Sequence, residues 1–397
     1  MLFARVMRCV LAGLLTVLVG CGGQVPERDG GVDGGPDPVQ TDGGFDLNDV
    51  SWLLPLPHAS QRDALLSFEA VGARGTLFPK ALYDGLPLLV PDQLNGTIHD
   101  EFRIIGVRVD PCFPKDALNS GCIKQVRLVA QPVTFTPLTS TRDAAIHLFY
   151  DLSDDDWAQL ISRVTGLKAM ARGATAGLPL DVHPVIKREG VNGAYAVKLR
   201  EMISQLCGAQ NLSRVAFMRL LQEDVAWRFG AFDVKNGGLV ADPIPRLNAV
   251  TEQGVQELGT PAFRAGDLQP AAPGDDLLVL LSEQEMRLTD DRTLQKAITS
   301  ALRLEHPQRL SPRTADCASC HVASRALTNA KNQRQLDLSN HADAFVFDTR
   351  FDLRRIDRVG NDPRALRAFG YFQDQSAFSQ RVINESAEVA AALSRSP

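Results

Sequence analysis

Three residues near the carboxyl end of the sequence have a spacing that could support chemistry. Cys317, Cys320 and His321 stand in the order C-x-x-C-H within the stretch TADCASCHVASRAL. On a helical turn, residues three apart point to one side, and the imidazole of the next residue comes round beneath them. Two thiols and an imidazole in this arrangement could hold a covalent haem, form a redox disulfide, or contribute to a zinc site. A structural disulfide without any cofactor is a fourth interpretation.

The C-x-x-C-H pattern resembles the attachment motif of the c-type cytochromes. That resemblance implies one haem c joined by thioether bonds to Cys317 and Cys320, with His321 as the proximal ligand of the iron. A helical turn would present the motif, and Ser311 or Thr314 is expected to cap it. Export fits this interpretation, because c-type haem is attached outside the cytoplasmic membrane.

The sixth ligand of such an iron is not obvious from the sequence. Electron-transfer members of the family supply a Met downstream of the motif, but all six Met of this chain precede it. His341 is the only His that follows, in LDLSNHADAF, and it is therefore the candidate sixth ligand. An open or water-bound iron, Met286 and His306 are the alternatives.

The sequence around the motif bears on the competing interpretations. A thioredoxin-like site would normally follow a strand in a βαβ unit, whereas a helix pattern and a Pro-bearing loop precede Cys317. A zinc site would require Cys320 and His321 to share one small ion, and no second close pair of ligands is present. A structural disulfide without haem stays open as the main alternative.

The amino-terminal end has the pattern of an export signal. Two arginines precede an apolar run over residues 9–19, which is too short to span a bilayer. The sequence LVGC at residues 18–21 resembles the lipobox of bacterial lipoproteins. The resemblance implies that residues 1–20 are removed, that Cys21 is lipidated, and that the lipid anchors the protein in the cell envelope. The outer membrane, facing the periplasm or the cell surface, is the expected location.

Amino-acid composition predicts the state of the segment after the lipid anchor and excludes one class of partner. Residues 21–49 are dominated by Gly, Asp and Pro and are predicted to be a disordered tether. Removing residues 1–20, which contain two arginines and no acidic residue, changes the net charge from −5 to about −7. This acidic balance argues against nucleic acid as a partner.

Five cysteines remain after the signal and the lipid site are set aside. Cys112 and Cys122 lie at the facing ends of two predicted strands, so we expect a disulfide that closes a hairpin. Free thiols at these positions are the alternative. Cys207 lies on the apolar side of MISQLC and is expected to be a buried thiol.

The remaining sequence predicts an α+β fold. Residues 50–271 form an N-terminal mixed, largely antiparallel domain, and residues 272–397 form a mainly helical C-terminal haem-binding region. The strand patterns of the first domain cover residues 102–110, 124–133, 144–152, 214–221 and 225–234. Its helix patterns begin after Ser153 and cover residues 194–206, and residues 235–273 are predicted to be connecting loops.

The helix patterns of the C-terminal region are amphipathic. One helix begins at about Asp290 and ends before Pro307. Another lies in the final stretch FSQRVINESAEVAAAL. The haem motif lies between these two helices.

Signatures of known enzymes are scarce in this chain. It has no H-E-x-x-H, no G-x-S-x-G, no P-loop and no dinucleotide fingerprint. The leading hypothesis is an exported, lipid-anchored protein with one covalent c-type haem that exchanges electrons with a redox partner protein, as a carrier rather than a catalyst. The rival hypothesis is a non-catalytic binding lipoprotein of the cell envelope, with structural disulfides and no haem. A third hypothesis, which the missing downstream Met leaves open, is an enzyme or gas sensor built on a five-coordinate haem.

Overall fold

An antiparallel sheet lies at the centre of the fold. The computed structural model describes residues 44–89, 98–110, 123–136, 138–221, 226–245, 250–257, 263–265, 277–338, 340–347 and 366–395. The helices of these residues are α1 Leu47–Val50, α2 Lys80–Tyr83, α3 Asp154–Ala171, α4 Pro184–Glu189, α5 Ala194–Leu206, α6 Glu283–Leu288, α7 Asp291–Glu305, α8 Cys317–Arg334 and α9 Gln380–Arg395. The strands are β1 Ser51–Leu53, β2 Val71–Gly72, β3 Gly75–Thr76, β4 Phe102–Asp110, β5 Gln125–Thr134, β6 Ser140–Thr141, β7 Ala145–Asp151, β8 Leu212–Leu221, β9 Ala226–Lys235, β10 Gly238–Asp242, β11 Glu252–Glu257, β12 Phe263–Ala265, β13 Phe369–Phe372 and β14 Gln375–Phe378.

Ten strands belong to the main sheet. Their order is β1-β4-β5-β7-β8-β9-β11-β12, with β6 paired to β5 and β10 paired to β9, and the pairings are antiparallel. The five predicted strands are present as β4, β5, β7, β8 and β9. The α+β prediction is confirmed, with strands dominating the N-terminal part and helices more frequent towards the C-terminus.

The prediction of loops over residues 235–273 is wrong for much of that segment. It contains β10, β11 and β12, which extend the sheet beyond β9. These strands are short and contain glycines such as Gly238 and Gly254, so their sequence lacks the usual alternation. Hydrogen bonding to β9 stabilises these strands, although their local sequence has a low propensity for strand formation.

Helix ends follow the predicted capping signals. Ser153 caps α3 in a capping box, since its side chain accepts from the Asp156 amide and the Asp156 carboxylate accepts from the Ser153 amide. Asp290 caps α7 by accepting from the Thr293 amide, and that helix ends at Glu305. Helix α3 contributes to one hydrophobic cluster of the sheet, and α7 contributes to the other.

Several predictions lie outside the described residues. They are the signal peptide 1–20, the lipidated Cys21 with residues 22–43 of the tether, the Cys112 to Cys122 disulfide and the domain boundary at residue 271. The predicted end of the tether at residue 49 is wrong, because residues 47–49 belong to α1 and are buried. Within the described parts of the chain, no helix is long and apolar enough to cross a membrane.

One surface of the sheet, here called the apolar face, packs against α3 and α5. Directly paired residues of antiparallel strands lie on the same side of a sheet, so the register defines each face. The apolar face comprises Val107, Leu128, Leu148 and Val215, which are fully buried and share one hydrophobic cluster with α3 and α5. Burial of this kind is the main favourable contribution to folding.

The opposite surface, here called the polar face, carries charged and polar groups. It comprises Arg108, Arg127, His147 and Arg214, with Phe149 between Arg127 and Arg214, and Gln253 of β11. Helices α8 and α9 and the β13–β14 hairpin cover this surface. The predicted haem motif is therefore placed against a polar side of the sheet.

Candidate functional site

Helix α8 begins at the first cysteine of the C-x-x-C-H motif. Asp316 is its N-cap, and the Asp316 carboxylate accepts from the Ser319 amide at 2.9 Å. The carboxylate also accepts from Nε2 of Gln253 at 2.7 Å, and the Gln253 Oε1 accepts from the Ala318 amide at 2.8 Å. Because Gln253 lies on β11, the sheet itself fixes the first turn of α8.

The expected caps of this turn are therefore corrected. Ser311 and Thr314 do not cap α8; the Ser311 amide donates to Oγ1 of Thr314 at 2.8 Å in the loop ahead of the helix. The sequence contained the correct signal, since Asp316 directly precedes the motif and Asp is among the best N-cap residues.

Cys317 and Cys320 are both free thiols on the first turn of α8. Burial raises the pKa of Cys317 to about 12 and that of Cys320 to about 11. Both groups are consequently protonated near neutral pH. A reactive redox cysteine has a lowered pKa, so this environment does not favour the thioredoxin-like interpretation. Cys207 is also free and is fully buried, as expected.

His321 is held in one orientation by the segment that precedes β13. Its Nδ1 lies 2.5 Å from the carbonyl oxygen of Leu366, and its ring lies over that of Phe229 with the centroids 4.3 Å apart. Burial lowers the pKa of His321 to about 4, so the ring is neutral. A neutral ring next to a carbonyl donates from Nδ1 and leaves the Nε2 lone pair for a metal.

A small pocket, partly open to solvent, lies beside this histidine. Cys317 and His321 line it from α8, and Phe229 lines it from β9. His147 of β7 and Met218 of β8 complete the side formed by the polar face. The pocket thus brings together two members of the motif and two further residues that can bind a metal.

His341 is located elsewhere. Its Nε2 is 3.5 Å from Oγ1 of Thr299 on α7, and its Nδ1 is 3.2 Å from the Asp343 amide. It is not among the residues that line the pocket beside His321. The structure therefore does not bring His341 to the motif from which its role was inferred.

The two upstream alternatives also lie away from the pocket. Met286 of α6 is fully buried in the hydrophobic cluster of α7 and α8. His306 follows α7 and packs edge-on against Phe345 at 5.0 Å between ring centroids. Sequence reasoning missed His147 and Met218, although a His in the otherwise apolar run AAIHLFYDL is a local signal.

A cluster of buried charges adjoins the second cysteine of the motif. Glu385 of α9 lies 2.7 Å from both Arg108 and Arg381 and 3.6 Å from Arg127. Burial alone would raise the pKa of Glu385, but the three guanidinium groups hold it well below its usual range. The charge of Cys320, were it ionised, would interact with Arg381 and Glu385. The polar face therefore provides fixed charges next to the motif.

The motif residues belong to no compact group of three zinc ligands in the part of the chain that the structure describes. Among the described residues, the one group of three potential metal ligands with ligand atoms within 4.8 Å of one another is Glu69, His99 and Asp100. This group includes none of the motif residues, and two of its three members are exposed acidic side chains. Exposed carboxylates in such clusters are common without a metal.

Comparison with known proteins finds no matching family model, no matching curated protein and no matching solved structure. Function is therefore argued from the site alone.

Proposed function

We propose that this chain is an exported, lipid-anchored protein that binds one c-type haem covalently and transfers single electrons. Thioether bonds to Cys317 and Cys320 would hold the haem, and His321 would be the proximal ligand. The observation that carries the proposal is the neutral His321 ring, fixed at Nδ1 by the Leu366 carbonyl, on the same helical turn as two free thiols. That hydrogen bond is the kind of outer contact that orients an iron-binding imidazole.

The residues of the site have distinct roles in this proposal. Each protonated thiol adds across one vinyl group of the haem, with sulfur bonding to one carbon and hydrogen to the other. Asp316 and Gln253 hold the turn that presents both thiols. When bound, the haem supplies an iron that gains and loses one electron, and the fixed charges of the polar face tune its potential.

The remaining parts of the chain set where this exchange occurs. Lipid on Cys21 and the tether between it and α1 would keep the haem region near the membrane surface, where a redox partner protein could reach it. The expected site is the outer membrane, facing the periplasm or the cell surface. We propose a redox carrier rather than a catalyst.

The test is covalent retention of haem in denaturant. The wild type, made in cells that mature c-type cytochromes, should keep its haem on a denaturing gel, because thioether bonds do not depend on folding. Cys317→Ala and Cys320→Ala should weaken or abolish the haem signal, whereas the matched control Cys207→Ala should keep it. A colourless wild type beside a c-type control that matures normally would reject the proposal and favour a binding lipoprotein without haem.

A further inference from the structure

Two histidines line the pocket next to the motif, one from the helix and one from the sheet. His321 belongs to α8, and His147 belongs to β7, near the middle of the sheet. Their interaction is close enough that each charge would influence the other, since His321 is among the causes that lower the pKa of His147. The pocket therefore has imidazole groups contributed by two separate layers of the fold.

The register of the sheet gives the separation between His147 and Phe229, the residue against which the His321 ring packs. His147 pairs with Ala216 of β8, and Ala216 pairs with Ala231 of β9, two residues along from Phe229. Strands two apart lie roughly 10 Å from each other, and two residues along a strand add about 7 Å. Since the His321 ring lies over Phe229, His147 approaches the pocket from about 12 Å away along the sheet.

Small side chains occupy the part of the sheet between the two histidines. Ala145 and Ala216 line the pocket there, and Met218 of β8 lies beside Phe229 at its edge. The space next to His147 is therefore bordered by two alanines.

His147 lacks the hydrogen bonds that other interior histidines make. His183 accepts from the Ile186 amide, and His99 interacts with Asp100 at 3.1 Å. Within the described parts of the chain, the half-buried ring of His147 makes no hydrogen bond. Burial, followed by Arg127, holds the pKa of His147 well below its usual range, so its ring is neutral and can act as a ligand.

Met218, the other potential ligand in the pocket, is already accounted for by packing. It is 4% exposed and belongs to the hydrophobic cluster that includes Trp227 and Phe229. Packing thus accounts for Met218, whereas the His147 ring makes no hydrogen bond with a described residue.

We infer that His147 would supply a second imidazole ligand to the haem iron, in addition to His321. The inference rests on the proposed function, because it requires the covalent haem. It assigns the sixth position to a residue of the central sheet that lies about 170 positions before the motif in sequence. The haem would consequently be held by residues of both α8 and β7.

The experiment compares the absorption and electron paramagnetic resonance spectra of the full-length haem protein and its variants. The wild type should be low-spin with the signature of two imidazoles, and His147→Ala should become high-spin in essentially all molecules. Added imidazole should restore the low-spin spectrum of His147→Ala. Met218→Leu and His341→Ala are the matched controls and should stay low-spin.

A second variant, His147→Met, keeps the test decisive if the Ala variant matures poorly, and it should give the signature of a thioether ligand. A high-spin wild type, a low-spin His147→Ala, or a high-spin Met218→Leu or His341→Ala would each overturn the inference while the haem remains covalently bound. Absence of covalent haem from the wild type would instead reject the proposed function, and the inference with it.

Discussion

On the apolar face of the sheet, β5 and β7 bury Leu128 and Leu148 completely, against the side chains of α3 and α5. On the polar face, the same two strands place Arg127 and His147 beneath α8 and α9. Adjacent residues of one strand thus meet very different surroundings. Replacing buried ion pairs by apolar residues of similar volume is often neutral or stabilising, so stability alone does not require such a surface. The difference suggests that the polar face serves the site on α8.

The largest effect should come from removing the common partner of the three arginines. Glu385→Gln would leave Arg108, Arg127 and Arg381 buried without their shared negative charge, and the free energy of unfolding should fall by about 4 kcal/mol. Chemical denaturation measures this change. Glu388→Gln on the same helix, whose partner Arg395 is mostly exposed, should cost less than about 1 kcal/mol. Equal effects from the two variants would contradict the account of the polar face.

A slightly smaller loss of folding stability is expected from a substitution on the apolar face. Leu148→Ala should lower the free energy of unfolding by about 3 kcal/mol, because it leaves a cavity in a cluster where Leu148 is fully buried. Leu288→Ala, at a position that is 81% exposed, is the control and should change stability by less than about 0.5 kcal/mol. The fraction of molecules with covalent haem should be the same in both variants. Loss of haem from Leu148→Ala alone would show that the two faces do not act separately.

The smallest effect is a pH dependence that comes from Glu305 at the end of α7. Burial raises the pKa of Glu305 from 4.5 to about 7, although Ser324 and Arg381 oppose the shift. Between these values the unfolded chain has lost the proton that the folded protein retains, so stability falls as pH rises. From pH 5 to pH 7 this group should reduce the free energy of unfolding by about 2 kcal/mol.

Glu305→Gln tests this assignment, since Gln can still accept from Ser324 but does not titrate. His183 and His321, whose pKa values are lowered to about 3 and about 4, contribute the opposite slope in both proteins, so the variant is compared with the wild type by denaturation at each pH. From pH 5 to pH 7, the free energy of unfolding of Glu305→Gln should rise by about 2 kcal/mol relative to that of the wild type. The exposed Glu285→Gln controls for the loss of one carboxyl group. A profile for Glu305→Gln that matches the wild type would mean that the carboxyl group is not the source of the slope.

The sequence predicted the strands whose apolar residues alternate clearly, such as residues 102–110, because a half-buried strand requires that pattern. Alternation did not reveal that Arg108 and Arg127 would be buried, since a polar alternate position normally faces water. Both are enclosed because helices from the last third of the chain return to cover them. Such long-range covering has no local signal in the sequence.

The local part of the candidate site was predictable from the sequence, and its long-range part was not. The order of Cys317, Cys320 and His321 is local, and the structure places them on one turn. The distal position was inferred from closeness in sequence, which suggested His341. The sheet instead brings His147 to the pocket, because strand pairing joins residues that are far apart along the chain.

The most direct test of the central claim is the mass of one peptide. Trypsin should release residues 314–325, TADCASCHVASR, from protein made in cells that mature c-type haem. Mass spectrometry without reductant should find this peptide carrying one haem bound through both cysteines. The same peptide with two free thiols, or with a disulfide between Cys317 and Cys320, would contradict the account if a c-type control from the same cells carries its haem.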